Sequence, residues 1–327
     1  MHKLNKNDKI FIAGSNGMVG SAIKRALIKN NFKNNILSPN KNELNLLDSL
    51  KVKDWFKKNK PQVVLIAAAK VGGIFANSTY PAEFILENLK IQTNVIQSSW
   101  ECGVKRLIFL GSSCIYPKYA VQPIKEEALL SGDLENTNQW YAIAKISGLK
   151  LCESLRIQYG FDAISLMPTN LYGPNDNYHP ENSHVMASLI RKFLIAKINN
   201  KNHVTCWGTG SPLREFLHVD DLANAIIFCL RNWDPEAINA PKDINGNKLN
   251  HLNIGTGKDI SIKDLANKIA HITKFNGEII WDKSKPDGTP KKKLDVTRIN
   301  ALGWKSQIDL DEGIKKTISN INYNFIS

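Results

Sequence analysis

The stretch from Gly111 to Lys145 carries the residue types with the greatest chemical reach. It opens Gly111-Ser112-Ser113-Cys114-Ile115-Tyr116-Pro117 and closes Tyr141-Ala142-Ile143-Ala144-Lys145. Tyr141 and Lys145 are four apart, so on a helix they share a face. An ammonium beside a phenol favours the phenolate and is expected to lower the tyrosine pKa from about 10. A Ser112 hydroxyl donating to a substrate carbonyl, with Tyr141 to protonate it, makes an acid catalyst for ketone reduction. The same pair is a base for alcohol oxidation. Tyr and Lys at this spacing also occur on helices without any catalytic role, so the surrounding elements must decide.

Those elements read as an alternation of strands and helices. Arg106-Leu107-Ile108-Phe109-Leu110 is an apolar run of strand length. It places Ser112 and Cys114 at the carboxyl end of a strand, the ligand-binding edge of an open α/β sheet. At the start of the chain, Lys9 to Ala13 reads as a strand and Ser21 to Lys29 as a helix. Between them lies Gly14-Ser15-Asn16-Gly17-Met18-Val19-Gly20, spaced G-x-x-G-x-x-G. In such a turn the first glycine permits the tight bend and the second lets backbone approach a pyrophosphate. The third lets helix and strand pack closely, and the helix N-terminus faces the phosphate charge.

Further strands are expected near Asn35 to Ser38, at Asn45 to Asp48, at Val63 to Ile66 and at Ala163 to Met167, the last as a sixth strand. The second strand ends without the carboxylate that binds a ribose 2′-hydroxyl in NAD-preferring sites. Lys41 stands there instead and can receive a 2′-phosphate, which points to NADP(H). Asp48 can meet an adenine amine or cap a helix; the two readings are equally good. Small residues at Ala67 and Ala68, after the Val63 strand, let a cofactor lie close to backbone. Long helical stretches are expected at Pro81 to Trp100 and from Tyr141 to about Tyr159. The alternation argues for a doubly wound parallel sheet.

Beyond Pro168-Thr169-Asn170-Leu171 the pattern changes. Asn175 to His184 is a polar loop, and His184 precedes a helix from Val185 to Lys197. A short strand, Val204 to Gly208, carries Trp207. Leu222 to Arg231 is helical with Asp220 as its expected cap, His251 to Ile254 is a strand, and Ser261 to His271 is a helix. Lys285 to Lys293 is a basic turn whose lysines can meet phosphate or simply be solvated.

The chain has 327 residues, 43% of them hydrophobic, enough for one large or two ordinary domains. Its longest apolar run, Val63 to Ala69, is too short to span a bilayer. The polar N-terminus lacks the apolar core of a signal peptide, so a cytoplasmic location is expected. Five cysteines show no metal spacing and read as reduced thiols. The net charge of +13 comes from lysines scattered along the chain, which reads as a solvated basic surface rather than a nucleic-acid site.

Taken together, these blocks resemble the extended short-chain dehydrogenase/reductase family, marked by the early glycine motif and a serine before Y-x-x-x-K. Within it the chain resembles the GDP-L-fucose synthase group. The segments that carry this are Ala67 to Gly73, Gly111 to Lys118, Pro168 to Pro174, Asn182-Ser183-His184-Val185, Arg214 to Asp221 and Lys285 to Pro290. The resemblance implies a Rossmann domain over 1–170 and 216–257, with a smaller C-terminal α/β substrate domain over 171–215 and 258–327. It implies a homodimer through the two long helices. It also implies 3,5-epimerisation of GDP-4-keto-6-deoxy-D-mannose, followed by NADPH-dependent reduction at C4.

By the same resemblance, Ser112, Tyr141 and Lys145 handle the ketone, Cys114 is the base and His184 the acid. The cofactor would meet Gly14, Asn16, Gly17, Met18, Val19, Gly20, Lys41, Asp48, Ala67, Ala68, Lys145, Pro168, Thr169, Asn170, Leu171 and His184. The GDP-sugar would meet Lys192, Trp207, Arg214 and Asp287, with no metal. Asn16 and Lys41 stand where the family often has arginine near the 2′-phosphate, which should weaken selectivity for NADPH. Lys192 likewise replaces a common arginine. The alternatives are another nucleotide-sugar 4-reductase or epimerase of the same family, or a non-catalytic dinucleotide sensor.

Overall fold

A computed structural model describes residues 1–285 and 287–321. The first half comprises β1 (Ile10–Ala13), α1 (Met18–Lys29), β2 (Ile36–Leu37), α2 (Ser49–Asn59), β3 (Val63–Ile66), α3 (Ile74–Thr79), α4 (Pro81–Glu101), β4 (Arg106–Leu110), α5 (Gln139–Tyr159) and β5 (Ala163–Pro168). There follow β6 (Asn170–Tyr172), α6 (Val185–Ile198), β7 (His203–Trp207), β8 (Leu213–His218), α7 (Val219–Asn232) and β9 (His251–Ile254). The chain closes with β10 (Asp259–Ser261), α8 (Ile262–Ile272), β11 (Glu278–Asp282), β12 (Lys291–Lys292), α9 (Thr297–Ala301) and α10 (Leu310–Ser319).

The main sheet is six-stranded in the order β2-β1-β3-β4-β5-β9, and every pairing in it is parallel. Strands β1, β3, β4 and β5 are buried along their whole length. Helices cover both faces, so these strands read as unbroken apolar runs rather than as alternating ones. One face packs against α1 and α7, the other against α2, α4 and α5. The strand order reverses between β1 and β3, which opens a crevice at the carboxyl edge. Ile299 and Trp304, from the segment expected in the substrate unit, are buried in the core of the first face.

A second core lies under α6, α8 and α10. It is roofed by β8, which pairs with β6, β10 and β12, and by the β7–β11 pair. Among the described residues no helix is long and apolar enough to cross a membrane.

Three expected elements differ. Asn45 to Asp48 is a turn, not a strand, so Ala163 begins the fifth strand of the chain and not the sixth. Leu44 and Leu46 pack onto the sheet's helical face without entering the ladder. The second strand has only two paired residues. Helix α7 is capped by the His218 ring, whose Nδ1 accepts from the Asp220 N–H at 3.2 Å. Asp220 itself pairs with Arg25 and Lys316 at 2.6 Å each.

Candidate active site

The turn after β4 is set by its first residue. Ser112 caps the short 3-10 turn Ser113–Ile115, and its Oγ accepts from the Cys114 N–H at 3.2 Å. This aims the thiol out of the sheet edge and leaves the serine hydroxyl beside the Tyr141 hydroxyl. Tyr141 and Lys145 sit in the first two turns of α5, as their spacing requires. The Lys145 side chain is buried, donates from Nζ to the Leu110 carbonyl at 2.8 Å and lies 4.9 Å from the Phe109 ring centre.

The expected direction of the tyrosine shift is reversed. Burial raises the Tyr141 pKa, the charge of a Cys114 thiolate adds to the rise, and the Ser112 hydrogen bond only partly opposes it. Lys145 is itself pushed down to about 7 by burial. Sequence spacing brings the pair to one face, but the apolar environment, which spacing does not encode, governs their protons. A neutral phenol is the form needed to give a proton to a ketone oxygen.

Cys114 is half-buried, with Asn138 Nδ2 at 3.4 Å and Lys292 Nζ at 3.3 Å from Sγ. Burial pushes this thiol up, but the charge of Lys292, its hydrogen bond, the Ser112 contact and Arg214 together hold it below its ordinary value. His184 occupies the N-cap of α6, where its carbonyl accepts from the Ser188 N–H at 2.9 Å and its ring caps nothing. Its side chain is exposed. Surrounding protein, and then the Lys292 charge, lower its pKa. The loop before it is held by backbone contact, with Gly73 N–H donating to the Asn182 carbonyl at 3.1 Å. A Cβ at Gly73 would stand 2.6 Å from the Ser183 carbonyl oxygen, so only glycine lets the two strands of loop meet.

The β1–α1 turn fits a dinucleotide. Gly14 has φ +84°, and a Cβ there would stand 2.7 Å from Ala68 N, so the turn rests on the backbone of Ala67 and Ala68. Gly17 caps α1 without any side chain, leaving first-turn N–H groups of Met18, Val19 and Gly20 facing outward for an anion. Asn16 is exposed beside them, as is Lys41 on the turn after β2. Lys24 also reaches this end, with Nζ 3.3 Å from Ser38 Oγ. Asp48 caps α2, its Oδ1 accepting from the Lys51 N–H at 3.1 Å.

Pro168 ends β5. Thr169 and Asn170 donate from their side chains to the Glu215 carbonyl at 3.2 and 2.7 Å, and Leu171 packs on the main core. This segment joins the main sheet to the second. Across the cleft, Lys192 donates to the Thr205 carbonyl at 2.9 Å and lies 5.6 Å from the Trp207 ring centre. Lys285 lies 5.5 Å from the same half-exposed indole. The Asp287 carboxylate accepts from Thr209 N–H at 2.7 Å and from its hydroxyl at 2.8 Å. Arg214 is within electrostatic reach of Cys114, Glu135 and Asp287. Pro286, within the Lys285–Pro290 segment, lies outside the described residues.

Lys292 and Asn138 escaped sequence reasoning. Asn138 carries no pattern at all, and Lys292 is one of three consecutive lysines 178 residues from the thiol it meets.

Residues 10–245 match the model of the NAD dependent epimerase/dehydratase family. The chain is 54% identical to GDP-L-fucose synthase 1 of Arabidopsis thaliana over 95% of its length and 92% of the relative's. It is 50% identical to the GDP-L-fucose synthase of Escherichia coli K12, covering 94% and 95%. Its structure aligns with MlghC, a GDP-mannoheptose C4 reductase from Campylobacter jejuni solved with NADP bound. That alignment has a TM-score of 0.86 and 39% identity and covers 97% and 98% of the two chains. With the parallel sheet, the glycine turn and the Ser-Tyr-Lys group all in place, the chain belongs to the NAD dependent epimerase/dehydratase family.

Proposed function

We propose that this chain converts GDP-4-keto-6-deoxy-D-mannose to GDP-L-fucose, inverting C3 and C5 and then reducing the C4 ketone with NADPH. One observation carries the reading. At a single sheet edge, a carbonyl-protonating pair, Ser112 and Tyr141, stands beside a thiol whose charged neighbours favour its ionised form. The near full-length identity to GDP-L-fucose synthases supports the same substrate.

C3 and C5 both lie α to the C4 ketone, so one polarised oxygen acidifies both protons. Ser112 and Tyr141 hold that oxygen, Cys114 removes each proton as the base, and His184 returns one from the opposite face as the acid. Tyr141 then gives its proton to the C4 oxygen, and Lys145 orients the site through Leu110. NADPH, when bound, supplies the hydride to C4. Gly14, Asn16, Gly17, Met18, Val19, Gly20, Ala67 and Ala68 would hold its diphosphate end. Lys41 and Asp48 would lie toward the adenosine, and Lys145, Pro168 to Leu171 and His184 toward the nicotinamide. Lys192 and Arg214 would take the GDP diphosphate, with Trp207 and Asp287 beside it.

Residues 1–170 with 216–257 form the cofactor unit in this reading, and the remaining segments the substrate unit, apart from α9 and Trp304, which pack back into the cofactor unit's core. The enzyme is cytoplasmic and dimeric. Leu86 on α4 and Trp140 and Ile157 on α5 are exposed apolar residues on the paired long helices, in keeping with a four-helix interface. Sedimentation should then give twice the chain's 36.6 kDa.

With GDP-4-keto-6-deoxy-D-mannose, the enzyme is expected to oxidise one NADPH per GDP-L-fucose formed. Tyr141→Phe should lower that turnover by about 10²–10⁴-fold. Unchanged turnover would remove Tyr141 from the chemistry.

A further inference from the structure

The basic turn at the end of the second sheet divides its lysines by direction. Strand β12 pairs in parallel with β8, with Lys291 opposite Leu213 and Lys292 opposite Arg214. Side chains alternate along a strand, and in-register neighbours share a face. Lys291 and Lys293 accordingly reach Asp259, at 3.2 and 3.9 Å. Lys292 points the other way, beside Arg214, and its Nζ stops 3.3 Å from Cys114 Sγ.

This placement is fixed from several sides. Gln122 donates to the Lys291 carbonyl at 3.1 Å and accepts from the Lys293 N–H at 3.0 Å. Ile124 donates to the Lys293 carbonyl at 2.8 Å, and the Leu294 N–H donates to the buried Glu215 carboxylate at 2.7 Å. The segment that follows the Cys114 turn in sequence thus grips both ends of β12 and sets its lysine over the thiol.

We propose that Lys292 is a positioning residue for the epimerisation, holding Cys114 as the thiolate that removes the C3 and C5 protons. The inference rests on the base role given to Cys114 above. In each inversion the thiolate takes the carbon-bound proton and becomes a thiol, and the bonding pair moves into the enolate on the C4 oxygen. A proton from the imidazolium form of His184 closes the carbon from the other face, and the neutral ring takes a proton back from solvent before the next inversion. The thiol then returns its proton to solvent, and Lys292 restores the charged form.

The groups facing Sγ are few. Lys292 on β12 and Arg214 on β8 are cationic, and the Asn138 amide ahead of α5 donates. Tyr141 on α5 is neutral, and His184 at α6 is disfavoured as a cation by the same lysine. Glu135, which lines the same cavity, is the facing carboxylate and is paired with Lys118 at 3.0 Å.

The test is the pH profile of Cys114 alkylation by iodoacetamide in the whole enzyme, read by mass spectrometry of the Cys114 peptide, since the thiolate is the reactive form. In Lys292→Met and the more polar Lys292→Gln, the rate at pH 7 should fall by about tenfold or more, and the midpoint should move up toward the ordinary thiol value of about 8.5. Lys292→Arg, which keeps the charge, should stay within about threefold of wild type. Met and Gln profiles that superimpose on wild type would overturn the proposal, as would an Arg variant that falls with them. Exchange at C3 and C5 that survives Cys114→Ser would instead remove the base role, leaving the alkylation result standing.

Discussion

Lys145 is four residues from Tyr141, and that spacing alone brings the two to the same helix face. Spacing says nothing of the burial that governs their protons. The amine is 4% exposed and held near pKa 7, against about 10.4 in an unfolded chain. Between these values the unfolded chain binds more protons, so this group makes folding stability rise with pH across the window and costs most below it. Its contribution has a limiting slope of about 1.4 kcal/mol per pH unit. Lys145→Met should therefore flatten the rise in Tm between pH 7 and 9.5 relative to wild type, as measured by scanning calorimetry. An unchanged slope would mean the amine is charged in the folded protein. Cys114 shows the same limit on legibility: its type and neighbouring Ser112 are readable in the sequence, but the lysine that ionises it comes from a distant strand.

At the scale of elements, apolar runs and glycine spacing located β1, α1, β3, β4, α5 and β5, because strands buried on both faces leave an unmistakable signature. What escaped were the short pieces that tie the two sheets together. Strand β12 has two residues and β10 three, too few for any period to emerge. Asn45 to Asp48 misled because apolar residues under a helix layer resemble those of a strand. The tie itself rests on Glu215, fully buried on β8, whose carboxylate accepts from the N–H groups of Thr256, Gly257 and Leu294 at 2.6, 2.8 and 2.7 Å. Glu215→Ala leaves the buried Leu294 N–H and the part-buried Thr256 and Gly257 N–H groups without their acceptor, at about 1–3 kcal/mol for a buried donor. The expected loss is about 3 kcal/mol or more, which lowers Tm by roughly 6–12 °C in a domain of 150–250 residues. A change under about 2 °C would show that the strap does not bear on stability.

For the whole molecule, the site gathers at the carboxyl edge of the parallel sheet groups that span Gly14 to Lys292 in the chain. The carboxyl ends of β1, β3, β4 and β5 supply the cofactor turn, the alanine floor, the Ser-Cys turn and the link to the second sheet. The sheet built on β8 brings Arg214 and Lys292, and the β7–β11 pair brings Trp207, to face them. One ketone at this edge then serves three proton or hydride steps, and that is the central claim. It is tested by a single turnover with GDP-4-keto-6-deoxy-D-mannose and NADPH in D2O, reading the product sugar by NMR. Deuterium at both C3 and C5 in an L-fucose product is the expected result. Reduction without deuterium at either carbon, giving a D-sugar, would contradict the account and leave a plain C4 reductase.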